Sequence, residues 1–289
     1  MIKSPPYCVR VSSKRQPPPA PQRLSPLVDA HTHLDACGAK DGDDVRAIVD
    51  RAAAVGVVAV VTIADDLASA RWATQAADWD RRVYAAVALH PTRADALTEE
   101  ARAEIERLAA HPRVVAIGET GMDLYWPGRL EGCAEPTVQR EAFAWHIDLA
   151  KRTGKPLMIH NRDADAEVLD VLRAEGAPDT VIFHCFSSGA ELARACVDAG
   201  WLVSLSGTVS FRNARELREA VPLIPVAQLL VETDAPFLTP HPHRGAPNEP
   251  YCLPYTARAL AELIDRPADE LAEITTDNAR RAYGLATEG

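Results

Sequence analysis

An α/β fold, a single (β/α)8 TIM-like barrel, is predicted by three features of this 289-residue sequence. Short β-branched apolar runs alternate with stretches of helical spacing, there are eight such runs, and imidazole or carboxylate side chains collect at their C-terminal ends. In order the runs are 27–35, 57–64, 83–89, 114–119, 156–160, 180–186, 201–206 and 229–234. Helical spacing occupies 43–55, 67–79, 98–111, 138–153, 164–175, 190–199 and 213–221. This alternation argues for βα units and a parallel sheet, and eight units in a chain of this length favour closure into a barrel over an open sheet. From about residue 254 the pattern is helical, with Leu260, Leu263 and Ile264 on one apolar face and Leu271 and Ile274 on the next. The barrel is assigned to residues 28–285 as one domain.

Residues 1–27 read differently. They are proline-rich, carry Lys3, Arg10, Lys14, Arg15 and Arg23 and contain no acid, and they are expected to form a flexible, disordered basic extension. Removing those five positive charges from the formal −10 leaves the body near −15. So acidic a body argues against a broad nucleic-acid-coating surface, but leaves room for an enzyme that grips a few phosphates locally. No run is long enough to span a membrane, and the opening lacks a signal peptide's apolar core. The six cysteines are scattered, so reduced thiols and a cytoplasmic location are expected. Cys185, beside a histidine, is read as buried packing.

The stretch "LVDAHTHLDA" at 27–36 places Asp29, His31 and His33 at alternate positions, on one face of a strand if the pleat is regular. Later runs end in His90, Glu119, His160, His184 and Asp234. The C-terminal rim is where a barrel builds its active site, and converging histidines and carboxylates are divalent-metal ligands. Six donors, His31, His33, Glu119, His160, His184 and Asp234, exceed what one catalytic ion needs. Two ions are therefore expected, with Glu119 as the bridge because it comes from the middle of the series and has two oxygens. The donor set suits Zn2+ or Mn2+ better than an all-oxygen Mg2+ cage. His111 and His146, on helices, are read as structural.

Taken together, the motifs "DAHTHLD", "LHP" at His90, "GETGMDLYW" from Gly118, "IHNRDA" from Ile159, "HCFSSG" from His184, "SLSGTVSF" from Ser204 and "ETDAPFLTPHPHRGAPNEP" from Glu232 resemble the TatD-type metal-dependent deoxyribonucleases. These belong to the wider amidohydrolase-like metal hydrolases, and the resemblance runs from about Val28 to Tyr283. It implies one metal held by His31, His33, Glu119 and Asp234 and a second held by Glu119, His160 and His184. It also implies hydrolysis of DNA phosphodiesters, 3′ to 5′ from single-stranded ends, in a setting such as DNA repair, with RNA as a further substrate. The sequence departs from the family pattern at Ala88, Leu124 and Ser188, none of which removes a ligand.

The chemistry follows from charge. A phosphodiester repels hydroxide, so hydrolysis needs cations that acidify a water and hold phosphate oxygens. Asp234 is expected either to take that water's proton as general base or to serve as a ligand alone. Arg162 and Arg244 are read as phosphate or sugar contacts, His90 as a substrate contact or a hydrogen-bonding support, and Tyr125 and Trp126 as either a base-stacking pair or lid packing. Asp29 and Glu232 are expected to orient ligands, Asp29 by accepting from a free ring nitrogen. No obligate protein partner is evident. The alternative is a small-molecule amidohydrolase acting on a cyclic amide or lactone. Such enzymes often bridge their metals with a modified lysine, and Lys155 sits at the opposite end of its strand.

Overall fold

The computed structural model describes residues 15–285. Strands β1 (Leu27–Thr32), β2 (Val57–Ile63), β3 (Val83–Val87), β4 (Val114–Asp123), β5 (Leu157–Arg162), β6 (Val181–Phe183), β7 (Leu202–Leu205) and β8 (Leu229–Val231) pair in sequence order, every pairing parallel. The seam between β8 and β1 is joined just beyond the strands. There Asp234 N–H donates to the His31 carbonyl (2.9 Å) and His33 N–H to the Ala235 carbonyl (2.8 Å).

Around the barrel lie α1 (Gly42–Ala54), α2 (Leu67–Trp79), α3 (Glu99–Ala109), α4 (Pro136–Thr153), α5 (Asp165–Glu175), α6 (Ala190–Ala199) and α7 (Arg215–Ala220), followed by α8 (Leu253–Leu263) and α9 (Ala268–Tyr283). Three of them start where a side chain satisfies a free N–H. Asp41 accepts from Asp43 and Asp44, Asp66 exchanges bonds with Ser69, and Thr98 accepts from Ala101, each cap contributing about 1 kcal/mol. Leu27, Val57, Val83, Leu157, Ile159 and Phe183 bury outward against Ile48, Ala73, Ile105, Phe143, Val168 and Leu192 of the helices. Burial of each such large side chain stabilises by about 1.5–3 kcal/mol. Val28, Ala30, Val61, Ala86, Ala116, Met158, Ile182 and Leu230 fill the barrel interior together with Tyr283 from α9.

The C-terminal ends of β1, β4, β6 and β8 differ from the sequence expectation, β1 and β6 stopping early at Thr32 and Phe183. Strand β4 continues four residues past Glu119 because Thr120 to Asp123 pair with Ile159 to Arg162 of β5. Strand β8 stops at Val231, since the backbone of Glu232 to Asp234 turns to bond β7 and β1.

Regular alternation fails at two positions that matter. Leu27 faces the helices and Val28 and Ala30 the interior, so an unbroken pleat would turn Asp29, His31 and His33 outward together. The β1–β2 register shifts between Asp29 and Thr32, and His31 instead reaches inward to Met158 (Nδ1 to Sδ, 3.2 Å). Asp29 stays with Thr233 at the seam, and of His31 it meets the backbone N–H (3.4 Å) and not the ring. A second register shift, between Ile117 and Thr120, brings Glu119 into the same space.

Part of the predicted extension is also placed. Residues 15–26 lie along the barrel and are not a free tail. Pro18, Pro21 and Leu24 are buried, Tyr251 and Tyr255 hydroxyls donate to the Pro18 and Pro19 carbonyls (2.7 and 2.9 Å), and Arg258 donates to Gln22 (2.7 Å). A proline-rich strand leaves its carbonyls without internal partners, so side chains of the barrel can take them. Residues 1–14 lie outside the described residues.

Candidate functional site

All six predicted donors converge at the C-terminal mouth of the barrel, and all but the fully buried His31 line a cavity of about 400 Å³. His31 Nε2 and His33 Nε2 face each other at 3.1 Å, and Asp234 Oδ1 lies 3.6 Å from both. Glu119 Oε1 lies 3.9 and 3.7 Å from the same two nitrogens. A cation with ligands at about 2.0–2.1 Å in a tetrahedron separates them by about 3.3–3.4 Å, so these spacings are those of a metal's donor set.

The other oxygen of Glu119 faces the opposite way. Oε2 lies 2.7 Å from His184 Nε2 and 3.2 Å from His160 Nδ1, and those nitrogens are 3.4 Å apart. His90 joins this second group more closely than its sequence reading implied, with Nε2 3.3 Å from His160 Nδ1 and Nδ1 held by Thr92.

Glycines make room for the central carboxylate. A Cβ on Gly118 would stand 2.5 Å from Met158 Cβ, and one on Gly121, whose φ is +136°, would stand 2.1 Å from the His160 carbonyl oxygen. Only residues without a side chain allow β4 to press against β5 on both sides of Glu119.

Burial and the neighbouring charges shift the donors in both directions. Burial holds His31 well below the ordinary imidazole range, helped by His184 stacked on it at 3.9 Å between centroids, so its lone pair is free of a proton. Burial opposes ionisation of Glu119, yet His184 and His90 beside it hold its carboxyl well below the usual range. His33 is pushed the other way, up to about 10: burial lowers it, but Asp65 above all, with Asp234 and Glu119, outweighs that. Buried charge of both signs without bulk solvent is what a bound cation would resolve.

The supporting residues are placed as follows. Glu232 is wholly buried; its Oε1 accepts from Cys185 N–H (2.7 Å) and stands 3.4 Å from His184 Nδ1. Asp29 touches no ring nitrogen. Its carboxylate accepts from Thr233 N–H (2.8 Å) and the Thr233 hydroxyl (2.6 Å), clamping the seam one residue before Asp234. Arg162 and Arg244 both line the cavity. Arg162 rests on the Tyr125 ring at 4.0 Å, and Arg129 also approaches that ring, at 4.6 Å. Tyr125 is therefore a platform for two guanidinium groups instead of an open surface for a base, because a cation over the ring is itself favourable. Trp126 lines the cavity, 5.3 Å from Arg162. Arg244 lies 4.4 Å from the Phe211 ring.

Other expectations resolve at this rim. Cys185 does not pack in the outer core. Its backbone turns left-handed (φ 43°), which brings it to the cavity wall with Sγ 3.3 Å from Ser206 Oγ. The described cysteines are free thiols. His146 is a core histidine, donating from Nδ1 to the Ala142 carbonyl (2.7 Å) and accepting at Nε2 from Leu89 N–H (3.3 Å).

Two acids were missed by the sequence reading. Asp123 Oδ2 stands 3.1 Å from His160 Nε2, and Asp65 Oδ1 stands 3.8 Å from His33 Nδ1. Asp123 lies two and four positions beyond Gly121 and Glu119, so extending β4 would have found it. Asp65 directly follows the second apolar run, at the same rim as the histidines.

Comparison with known proteins agrees with this geometry. The TatD-related DNase family model matches residues 28–284. An uncharacterized metal-dependent hydrolase TatD of Mycobacterium tuberculosis is 82% identical over 259 residues, covering 90% of this chain and 98% of the relative. A 3′-5′ ssDNA/RNA exonuclease TatD of Escherichia fergusonii is 35% identical, covering 86% and 95%. The crystal structure of YJJV, a TatD homologue from Escherichia coli K12, superposes with a TM-score of 0.81 at 27% identity, covering 90% of this chain and 98% of that one. From barrel, donor cluster and relatives alike, the chain belongs to the TatD-related DNase family and is a metal-dependent hydrolase.

Proposed function

We propose that this hydrolase cleaves phosphodiester bonds of DNA from single-stranded ends, 3′ to 5′, with RNA as a second substrate, in the cytoplasm. The observation that carries the reading is Glu119, whose two oxygens each face a separate group of histidines. We assign His31, His33, Glu119 and Asp234 to one divalent cation and Glu119, His160 and His184 to another, with Zn2+, Mn2+ or Mg2+ as occupants. Cations bound there supply an acidified water and positive charge for the phosphate oxygens.

The chain's own residues do the rest. Asp234, at the seam, takes a proton on its carboxylate as general base. Arg162, steadied on Tyr125, keeps planar N–H donors at the cavity wall for a phosphate, and Arg244, beside the Phe211 ring, does the same. Glu232 and Asp123 stand behind His184 and His160 and fix their ring orientations. Support for a nucleic-acid substrate comes also from the relative named as a 3′-5′ ssDNA/RNA exonuclease. A cyclic-amide hydrolase with a lysine bridge is disfavoured because Lys155 Nζ donates to the Val114 carbonyl at the far end of the barrel. Among the described residues no helix is long and apolar enough to cross a membrane.

The test is hydrolysis by purified protein loaded with one defined metal, offered end-labelled single-stranded DNA, double-stranded DNA, RNA and a dihydropyrimidine-type cyclic amide. Stepwise shortening of single-stranded DNA from its 3′ end is expected. Turnover of the cyclic amide with DNA left intact would overturn the reading.

A further inference from the structure

We propose that residues 15–26 form a fixed strap whose end, Arg15, adds a phosphate-binding position for single-stranded DNA at the mouth of the cavity. This rests on the nuclease reading above, and it concerns a segment that precedes the family match at residue 28.

Three observations support it. The strap is anchored by Tyr251, Tyr255 and Arg258, which take the carbonyls of Pro18, Pro19 and Gln22, and by Leu24, whose N–H donates to Val55 (3.2 Å) and whose side chain is buried. Its course is thus set by the barrel. At its end Arg15 donates from Nη1 to the carbonyl of Arg244, and the same guanidinium lies against Gly245, where a Cβ would come within 3.5 Å of Nη1. Arg244 and Gly245 both line the cavity, so the strap delivers its cation to the rim of the site.

The third observation is charge. The chain carries a formal −10, yet Arg162 and Arg244 line one opening with Arg15 bonded to Arg244, and the sequence leading into Arg15 holds Lys3, Arg10 and Lys14 with no acid. A guanidinium has five N–H donors, and the carbonyl of Arg244 takes only one of them. Arg15 is exposed, and among the described residues the remainder meet no other acceptor, which leaves them to a polyanionic strand passing there. One phosphate held by Arg162 and Arg244 and another held by Arg15 would give a longer strand an advantage over a dinucleotide.

The experiment is fluorescence anisotropy of a labelled, cleavage-resistant phosphorothioate oligothymidylate of about eight nucleotides, a length within single-strand site sizes. It is titrated with metal-loaded full-length protein at several salt concentrations. Loss of one phosphate contact makes the slope of log K against log salt shallower by about 0.7. Arg15→Ala should show that change, so that the advantage of the unaltered protein shrinks about 2.6-fold on a fourfold increase in salt. Arg15→Lys should keep most of the slope, as should Arg23→Ala, whose guanidinium bonds Ala53 elsewhere on the strap. An Arg15→Ala slope equal to that of the unaltered protein, while that protein binds and degrades single-stranded DNA, overturns the strap alone. An absence of both oligonucleotide binding and DNA cleavage in the unaltered protein overturns the nuclease reading along with it.

Discussion

Replacing Asp29 should cost stability before it costs metal. The carboxylate is fully buried and accepts from Thr233 N–H and the Thr233 hydroxyl, at the place where β8 turns back to meet β1. Asp29→Ala leaves both donors buried without an acceptor, at about 1–3 kcal/mol each, or about 4 kcal/mol together. At about 2 °C of melting temperature per kcal/mol for a chain of this size, the fall is about 8 °C. Asp29→Asn retains an acceptor for the Thr233 N–H, and the hydroxyl can turn to accept from the new amide, so its cost is about 1 kcal/mol. Differential scanning fluorimetry at one scan rate, with metal analysis of the folded fraction, measures both effects. Because Asp29 touches no imidazole nitrogen, folded Asp29→Asn should hold metal within a few-fold of the parent. A melting temperature for Asp29→Ala within about 1 °C of the parent would refute the clamp, as would a steep loss of metal affinity in a thermally unaltered Asp29→Asn.

Four further substitutions probe the β4–β5 contact, the cavity wall and the surface. Gly121→Ala forces a Cβ to 2.1 Å from the His160 carbonyl and should cost about 3 kcal/mol or more by urea titration. Gly128→Ala, with φ +74° and open space around it, should cost only about 1–2 kcal/mol, and equal losses would contradict the close β4–β5 contact. Arg162→Ala should leave metal content unchanged while raising KM for oligonucleotides about tenfold, the worth of a charge-assisted hydrogen bond, with a larger effect at low salt; a KM unchanged at every salt would confine Arg162 to packing on Tyr125. Glu104, between Arg107 on α3 and Arg71 on α2, has its carboxyl lowered from 4.5 to about 2 by those partners. A depressed carboxylate stabilises above its ordinary range and loses that contribution as pH falls towards 2. The melting gap between the parent and Glu104→Gln, worth at most about 1 kcal/mol because both arginines are exposed, should therefore be full at pH 6 and close towards pH 3, and a gap that widens would reverse the sign.

The barrel was legible because each strand is a short β-branched run and its period is separable from that of the helix after it. The six donors were legible because a rim gathers strand ends whatever the loops do. Their orientation was not. Counting by twos from Leu27 turns His31 outward, and only the register shift between Asp29 and Thr32 brings it inward, a feature with no sequence mark of its own. The same blindness detached Asp29 from its real partner, Thr233, 204 positions away. Asp123 was lost by ending β4 at Glu119, since a strand that continues through two glycines looks like a loop until β5 is seen against it. Composition misjudged residues 15–26, because a proline-rich strand draws its order from donors on α8 and before it, not from its own hydrogen bonds.

Glu119 is proposed to join two cation sites through its two oxygens, which face different histidines. Metal content of purified, dialysed protein, measured by inductively coupled plasma mass spectrometry for the parent, Glu119→Ala and His184→Ala, addresses it directly. The parent should hold two ions per chain, His184→Ala should keep the ion of His31, His33 and Asp234, and Glu119→Ala should weaken both. Loss of the same single ion in both variants, or full occupancy in Glu119→Ala, would contradict the bridge.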